Sequence, residues 1–115
     1  MELLEKQTFI RRKASENVES ADGSQVYWSR HAITEMLQEQ LTRSEVETAL
    51  QDCEVIEDYP AMHRPLPDCL VLGQLPSTHP MHAVITIDQA RDRIFVVTVY
   101  RPSVERWEDD WRTRK

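Results

Sequence analysis

Residues 69–100 read CLVLGQLPSTHPMHAVITIDQARDRIFVVTVY, and this stretch decides the fold. Three runs rich in Val, Ile, Leu, Phe or Tyr occupy Cys69–Leu75, Met81–Ile87 and Arg93–Tyr100, with Pro, Gly or Asp at their borders. That is the composition of β-strands punctuated by turns. The links between them are too short for a parallel crossover, which needs a dozen or more residues, so consecutive strands pair antiparallel. A similar run at Cys53–Tyr59 precedes them, and the four together predict an antiparallel meander.

Working toward the N-terminus, the period becomes helical. Ser29, a favoured N-cap residue, precedes Ile33, Met36, Leu37 and Leu41, whose spacing predicts an amphipathic helix over about Arg30–Gln40. Thr42-Arg43-Ser44-Glu45 matches a capping box, and Val46, Ala49 and Leu50 supply the inner face of a second helix. The short β-prone run Val26-Tyr27-Trp28 comes before both. Beyond the meander, Pro102 followed by Val104, Trp107 and Trp111 predicts a final helix over about Ser103–Thr113. Strands and helices in separate blocks give an α+β fold: two N-terminal helices packed on a four-stranded antiparallel meander, with a C-terminal helix. The expected core is Ile33, Met36, Leu37, Val46, Leu50, Ile56, Leu70, Leu72, Val84, Ile85, Phe95, Val97 and Val99.

The 115 residues leave room for a single domain. Residues 26–115 are expected to form it. Residues 1–25 are expected to be a flexible arm and linker, because Leu3, Leu4, Phe9 and Ile10 make only a weak amphipathic pattern and Ala14–Gln25 is polar. The longest apolar run, Ile94–Val97, is far short of the roughly 20 residues of a membrane span. Met1-Glu2-Leu3-Leu4-Glu5-Lys6 carries acids where a signal peptide has bases, so a cytoplasmic protein without a membrane partner is expected. A reducing compartment then makes Cys53 and Cys69 free thiols.

The formal charge of −6 is unevenly laid out. From Glu35 to Asp58 there are eight acids against Arg43 alone, a balance of 1 − 8 = −7, whereas Arg91–Lys115 holds seven bases and five acids, a balance of +2. Bulk electrostatics therefore do not favour nucleic acid, and any such role must be local. Lysine occurs only at Lys6, Lys13 and Lys115. Arginine is thus the strong cation of the domain's body, suited to planar contacts with phosphate or carboxylate.

Histidine is the natural proton shuttle near neutral pH, which singles out His31 at the start of the first predicted helix and His82 inside an apolar strand. Thr98 and Tyr100 share a face of the last strand. If Ile87 pairs with Arg93, His82 lies opposite Thr98 and joins Tyr100, while a slip of one residue sends it to the other side. The same His82 can equally be a hydrogen-bonded structural residue. Cys53, His63, Cys69, His79 and His82 lack the close pairing of a structural zinc site, and His63 and His79 fall in proline-bearing loops. No phosphate loop or nucleophile elbow is present, and the reading calls for no metal or cofactor.

Ser29-Arg30-His31-Ala32, Met36, Leu41 to Val46, Ala49-Leu50, Val55 to Pro60, Pro67 to Gly73, Pro80 to Val84 and Ile94 to Pro102 with Trp107 resemble a small bacterial domain-of-unknown-function family. Members of that family are grouped with RelE-like toxins and are often encoded beside YgiT-type zinc-finger antitoxins. The resemblance implies a RelE-like fold, the toxin half of a toxin–antitoxin pair, an antitoxin partner and RNA as substrate. The family pattern has arginines where Glu35 and Glu39 stand and a glycine at Gln40, whereas His31, His82, Thr98 and Tyr100 match. Metal-independent RNA cleavage is the expected activity, with His31, His82, Thr98 and Tyr100 as catalytic candidates and Arg93 and Arg101 as phosphate ligands. The alternative is a non-catalytic module that presents its acidic helical face to a protein.

Overall fold

The computed structural model describes residues 1–20, 22–60 and 67–115. The capping residues act where the sequence places them. The Ser29 hydroxyl accepts the Ala32 N–H and opens α2, Arg30–Gln38. Thr42 and Glu45 form a reciprocal capping box that opens α3, Arg43–Leu50. Between the two, α2 ends in a Schellman turn: the Leu41 N–H donates to the Met36 carbonyl (2.9 Å) and the Gln40 N–H to that of Leu37 (3.2 Å). Gln40 occupies the left-handed position of this turn, at φ 59°.

The meander comprises β2 (Glu54–Asp58), β3 (Cys69–Gln74), β4 (Pro80–Asp88) and β5 (Arg93–Tyr100), antiparallel throughout. The sheet nevertheless has five strands rather than the expected four. Residues Val26–Trp28 form β1, which pairs parallel with β5 and gives the order β1-β5-β4-β3-β2. A parallel edge is possible here because α2 and α3 lie in the connection between β1 and the meander. The α+β architecture stands.

Residues 1–25 also depart from the expected arm. They contain α1, Leu3–Glu19, whose Phe9, Ile10 and Ala14 enter the core. The helix was hard to read because much of its buried face is cationic. Lys6 Nζ donates to the Asp58 carboxylate (2.6 Å) and to the carbonyls of Tyr59 (3.2 Å) and Asp68 (2.9 Å). Lys13 Nζ sits between Glu16 (2.6 Å) and Asp92 (2.7 Å). Their aliphatic stems pack while their ammonium groups remain paired. Polar residues of α1 also close the sheet at both edges. Gln7 accepts the Val55 N–H (3.0 Å) and Arg11 donates to the Cys53 carbonyl (2.7 Å) beside β2, while Asn17 accepts the N–H groups of Gln25 (3.2 Å) and Val26 (3.1 Å) at β1. Edge backbone that would otherwise be open to another strand is thereby occupied.

The core lies between the helices and one sheet face, formed by Val26, Val55, Cys69, Val71, Met81, Ala83, Ile85, Ile94, Val96 and Val99. At Gly73 a Cβ would stand 3.1 Å from the Ala49 carbonyl oxygen, so glycine lets α3 approach β3 closely. Of the expected core, Met36, Val46, Leu50, Leu70, Ile85 and Val99 are buried. Ile56, Leu72, Val84, Phe95 and Val97 are only half-buried, and Ile33 and Leu37 are exposed. The errors at Phe95 and Val97 arise because β5 is apolar on both faces, which hides its alternation.

The β4–β5 register explains how a wrong pairing still gave the right face. Asp88, not Ile87, lies opposite Arg93, and an irregularity between the Val84 and Ile85 pairings adds one more residue to β5. The two one-residue shifts together put His82 opposite Tyr100 rather than Thr98, leaving His82, Thr98 and Tyr100 on a common face.

Residues after Tyr100 do not form the expected C-terminal helix. Ser103 begins a single turn, in which its carbonyl accepts the N–H groups of Arg106 (3.2 Å) and Trp107 (3.1 Å). The chain then doubles back, with Trp107 bridged to Arg114. Asp110 is the reason. Its carboxylate accepts the N–H groups of Arg112 (2.9 Å) and Thr113 (3.0 Å) and the Thr113 hydroxyl (2.9 Å), local bonds that compete with helix. Trp111, at φ 60°, completes the reversal. Among the described residues no helix is long and apolar enough to cross a membrane.

Candidate functional site

β1 ends at Trp28, opposite Val96, so among the described residues no strand pairs with the last residues of β5 on that side. α2 takes its place. The Ser29 hydroxyl donates to the Val97 carbonyl (2.9 Å), Glu35 accepts the Val99 N–H (3.2 Å) and Glu39 accepts the Arg101 N–H (3.3 Å). The fit is geometric: four residues of helix rise about 6 Å and two residues of strand about 6.6 Å. Acceptors at positions 35 and 39 therefore meet donors at 99 and 101. The inner face of α2 is consequently Ala32, Glu35, Met36 and Glu39, which turns Ile33 and Leu37 outward.

On the opposite sheet face, the C-terminal segment closes over His82. The imidazole is wholly buried, 4.4 Å from the Trp107 ring and 5.3 Å from that of Tyr100, edge-on to both. Its Nε2 lies 2.8 Å from the Trp111 carbonyl oxygen, which only accepts, so Nε2 carries the proton. Nδ1, 3.2 Å from the Tyr100 hydroxyl, is then an acceptor and the phenol donates to it. Burial lowers the His82 pKa, opposed by the bond to Trp111, so the ring is neutral at physiological pH. Burial likewise raises that of Tyr100.

Two ion pairs hold the segment down. Arg112 grips Glu54 through Nε and Nη2, both at 2.9 Å, and Arg114 grips Glu57 at 2.6 and 3.1 Å. Hydrogen bonds from these guanidinium groups keep both carboxyls below the usual glutamate range. The Arg114 guanidinium also stacks 4.7 Å above Trp107.

Between α2 and this segment lies a cleft of about 380 Å³, lined by Glu35, Tyr100, Arg101, Ser103, Arg106, Trp107 and Arg114. Of the sequence candidates, Tyr100 and Arg101 line it. His82 stands behind Tyr100 and reaches the cleft only through the phenol. His31 is exposed on α2, with Nε2 3.3 Å from Glu35. Thr98 is on the Tyr100 face but does not line the cleft, and Arg93 lies at the far end of β5 against Asp88 (2.9 Å). His79 is exposed and bonded to Ser77 (3.0 Å). His63 lies outside the described residues. Cys53 and Cys69 are buried and unbonded, and burial pushes both thiols up to about 12.

Sequence reading missed Glu35, Ser103, Arg106 and Arg114 as cleft residues. Arg106 falls inside the expected helix Ser103–Thr113 and Arg114 just beyond it, so their convergence on the cleft comes only with the turn that replaces that helix. Glu35 carried a signal only through the resemblance, which implies arginine at that position.

These features define a class: a small α+β domain whose first sheet-capping helix and C-terminal segment enclose an arginine-lined cleft at the end of the last strand. The chain belongs to the family described as Domain of unknown function (DUF4258), whose model matches residues 28–101. Neither the curated proteins nor the solved structures gave a match. α1 and the segment bearing Arg106, Trp107 and Arg114 lie outside the matched residues.

Proposed function

We propose that this protein is a metal-independent endoribonuclease, the RelE-like toxin component of a toxin–antitoxin pair. The observation that carries the reading is the cleft, where the Tyr100 phenol meets Arg101, Arg106 and Arg114. Arginines and a hydrogen-bonded phenol lining one cleft suit a phosphodiester that accumulates negative charge as it reacts. Among the described residues neither Arg101 nor Arg106 has a carboxylate within ion-pair distance of its guanidinium. Both are therefore available to an anion.

In the mechanism, the ribose 2′-oxygen attacks the adjacent phosphorus and the bond from phosphorus to the 5′-oxygen breaks. The 2′-hydroxyl proton passes to the Tyr100 oxygen as the phenol gives its own proton to His82 Nδ1. His82 thus acts as a base through Tyr100, and Glu57 tempers the charge that develops on its ring. His31, oriented by Glu35, is the counterpart acid for the departing 5′-oxygen. The products are a 2′,3′-cyclic phosphate and a 5′-hydroxyl.

The test is cleavage of end-labelled single-stranded RNA in excess EDTA by protein freed of any bound partner. Tyr100→Phe removes the relay hydroxyl and is expected to lower the rate 100-fold or more, on the order of a general acid–base contribution. Intact RNA across a wide range of wild-type concentration would overturn the assignment.

A second reading, a non-catalytic protein-binding module, draws on a different observation. Ile33 and Leu37, one turn apart on α2, are 40% and 67% exposed and offer an apolar stripe to a partner protein. A stable complex with an antitoxin that survives Ile33→Ser with Leu37→Ser would exclude that stripe as the contact.

A further inference from the structure

The end of the sheet remote from the cleft carries a second set of groups suited to a ligand. Tyr27 on β1 pairs in register with Phe95 on β5, their ring centroids 5.5 Å apart and tilted by 32°. The Arg93 guanidinium stacks against both, 4.7 Å from the Tyr27 ring and 4.9 Å from the Phe95 ring. Asp88 fixes Arg93 from the neighbouring strand at 2.9 Å. Tyr27 is 37% exposed and Phe95 half-buried, on the face opposite the helices. A hydrophobic core does not account for this trio.

We propose that Tyr27, Phe95 and Arg93 form a stacking platform for unpaired nucleobases of an RNA strand laid along β5. The proposal rests on the ribonuclease reading and extends it by placing the bases where that reading places only the phosphate. Three observations support a nucleic acid as the occupant. The platform combines two aromatic faces with an arginine plane, the surface on which a base stacks whatever its identity. It shares its sheet face with Tyr100, about 14 Å away, because the partners Thr86 and His82 are four residues apart on β4 at roughly 3.4 Å per residue. Between the two, the same face of β5 and β4 presents the half-buried Thr98, Thr86 and Val84, none of them acidic, up to where the C-terminal segment covers His82, and Arg101 and Arg106 line the cleft beyond.

The experiment is fluorescence anisotropy with a labelled single-stranded RNA 12-mer carrying 2′-O-methyl riboses, which lacks the attacking hydroxyl, titrated at several salt concentrations. Tyr27→Ala and Tyr27→Leu are expected to weaken binding by about 5- to 150-fold, the range for losing one stacked base. Tyr27→Phe keeps the ring and is expected to bind like wild type. Because stacking releases no counterions, the slope of log affinity against log salt stays unchanged in the Tyr27 variants. Arg106→Ala should flatten that slope by about 0.7, one phosphate contact to a single strand. Circular dichroism checks that each variant is folded, and Tyr27→Leu retains the apolar volume if alanine disturbs the edge.

Wild-type binding with unaltered affinity in folded Tyr27→Ala and Tyr27→Leu would overturn the platform and leave the cleft reading standing. Weakened binding with a flattened slope would overturn it too, since Tyr27 would then act through charge. Absence of RNA binding by the wild type would remove both readings together.

Discussion

Gln40→Gly is expected to stabilise the domain, and the Schellman turn at the end of α2 sets the size of the effect. Gln40 is held at φ 59°. A side chain in the left-handed region costs roughly 1–2 kcal/mol from the clash of Cβ with the following carbonyl oxygen. Glycine removes that clash but loses more backbone freedom on folding, which offsets roughly 0.5–1 kcal/mol. Taking the middle of each range, the net gain is about 0.75 kcal/mol, or an increase in Tm of about 2–5 °C for a chain of this length. Gln40 donates no side-chain hydrogen bond among the described residues and is exposed, so little is lost with its amide. Both turn bonds use backbone atoms and survive the substitution. Urea unfolding with a fixed slope, together with a thermal melt, measures the change. An unchanged or lowered midpoint would refute the reasoning, because it would mean that the strain at position 40 is already relieved.

Two further outcomes follow from the C-terminal segment. Trp107→Ala empties a site that is 2% exposed and removes the ring resting on His82. Its expected cost is about 3–5 kcal/mol, read from urea unfolding, and a loss below about 1 kcal/mol would show that the segment is not part of the cooperative unit. His82 makes stability depend on pH with a definite sign. Its folded pKa lies below the ordinary value of 6.5, so the unfolded chain binds a proton first as pH falls. Stability is therefore complete above about pH 6.5 and declines below it, by at most about 1.4 kcal/mol per pH unit. Urea titrations between pH 7.5 and 5 should show this decline, and His82→Gln should reduce it.

The meander and the capped helices were legible because their signals are local. Ser29, Thr42 and Glu45 act within a turn of chain, and the apolar runs of 69–100 are bounded by turn residues. The failures share a different cause, which is that side chains bond across the fold. Glu35 and Glu39 fill the inner face of α2 because N–H groups more than sixty residues away need acceptors. No helical period can announce that. Lys6 and Lys13 made α1 look like a solvated arm, although their partners Asp58 and Asp92 lie at the end of β2 and in the β4–β5 turn. Trp107 and Trp111 have the spacing of a helix face, yet the Asp110 turn between them directs one ring and one carbonyl to His82. The site was half legible for the same reason: Tyr100 and His82 share a face by strand alternation and Arg101 follows Tyr100 directly in the chain, whereas Glu35, Arg106 and Arg114 arrive by tertiary folding.

The −7 segment bears on function through what its acids touch. Of the eight from Glu35 to Asp58, Glu35 and Glu39 accept from β5, Glu45 caps α3 and Glu47 meets Trp28, Asn17 and Arg43. Glu54, Glu57 and Asp58 pair with Arg112, Arg114 and Lys6. Only the Asp52 carboxylate has no partner among the described residues. A carboxylate already bonded to backbone N–H groups or arginine presents a weaker field to an incoming anion than its formal charge suggests, since its own donor lies within contact distance. The acidic layer is for the most part an internal fastening. It keeps the sheet edge capped and the C-terminal segment closed, while among the described residues Arg101 and Arg106 have no carboxylate partner at the cleft. On the ribonuclease proposal, net charge therefore sets the background against which an RNA would approach, and the local pairing of each carboxylate decides whether the approach ends at an arginine. Raising salt screens the repulsive background as well as the contacts, so this acidic protein should lose RNA affinity with salt less steeply than a basic domain making the same number of phosphate contacts.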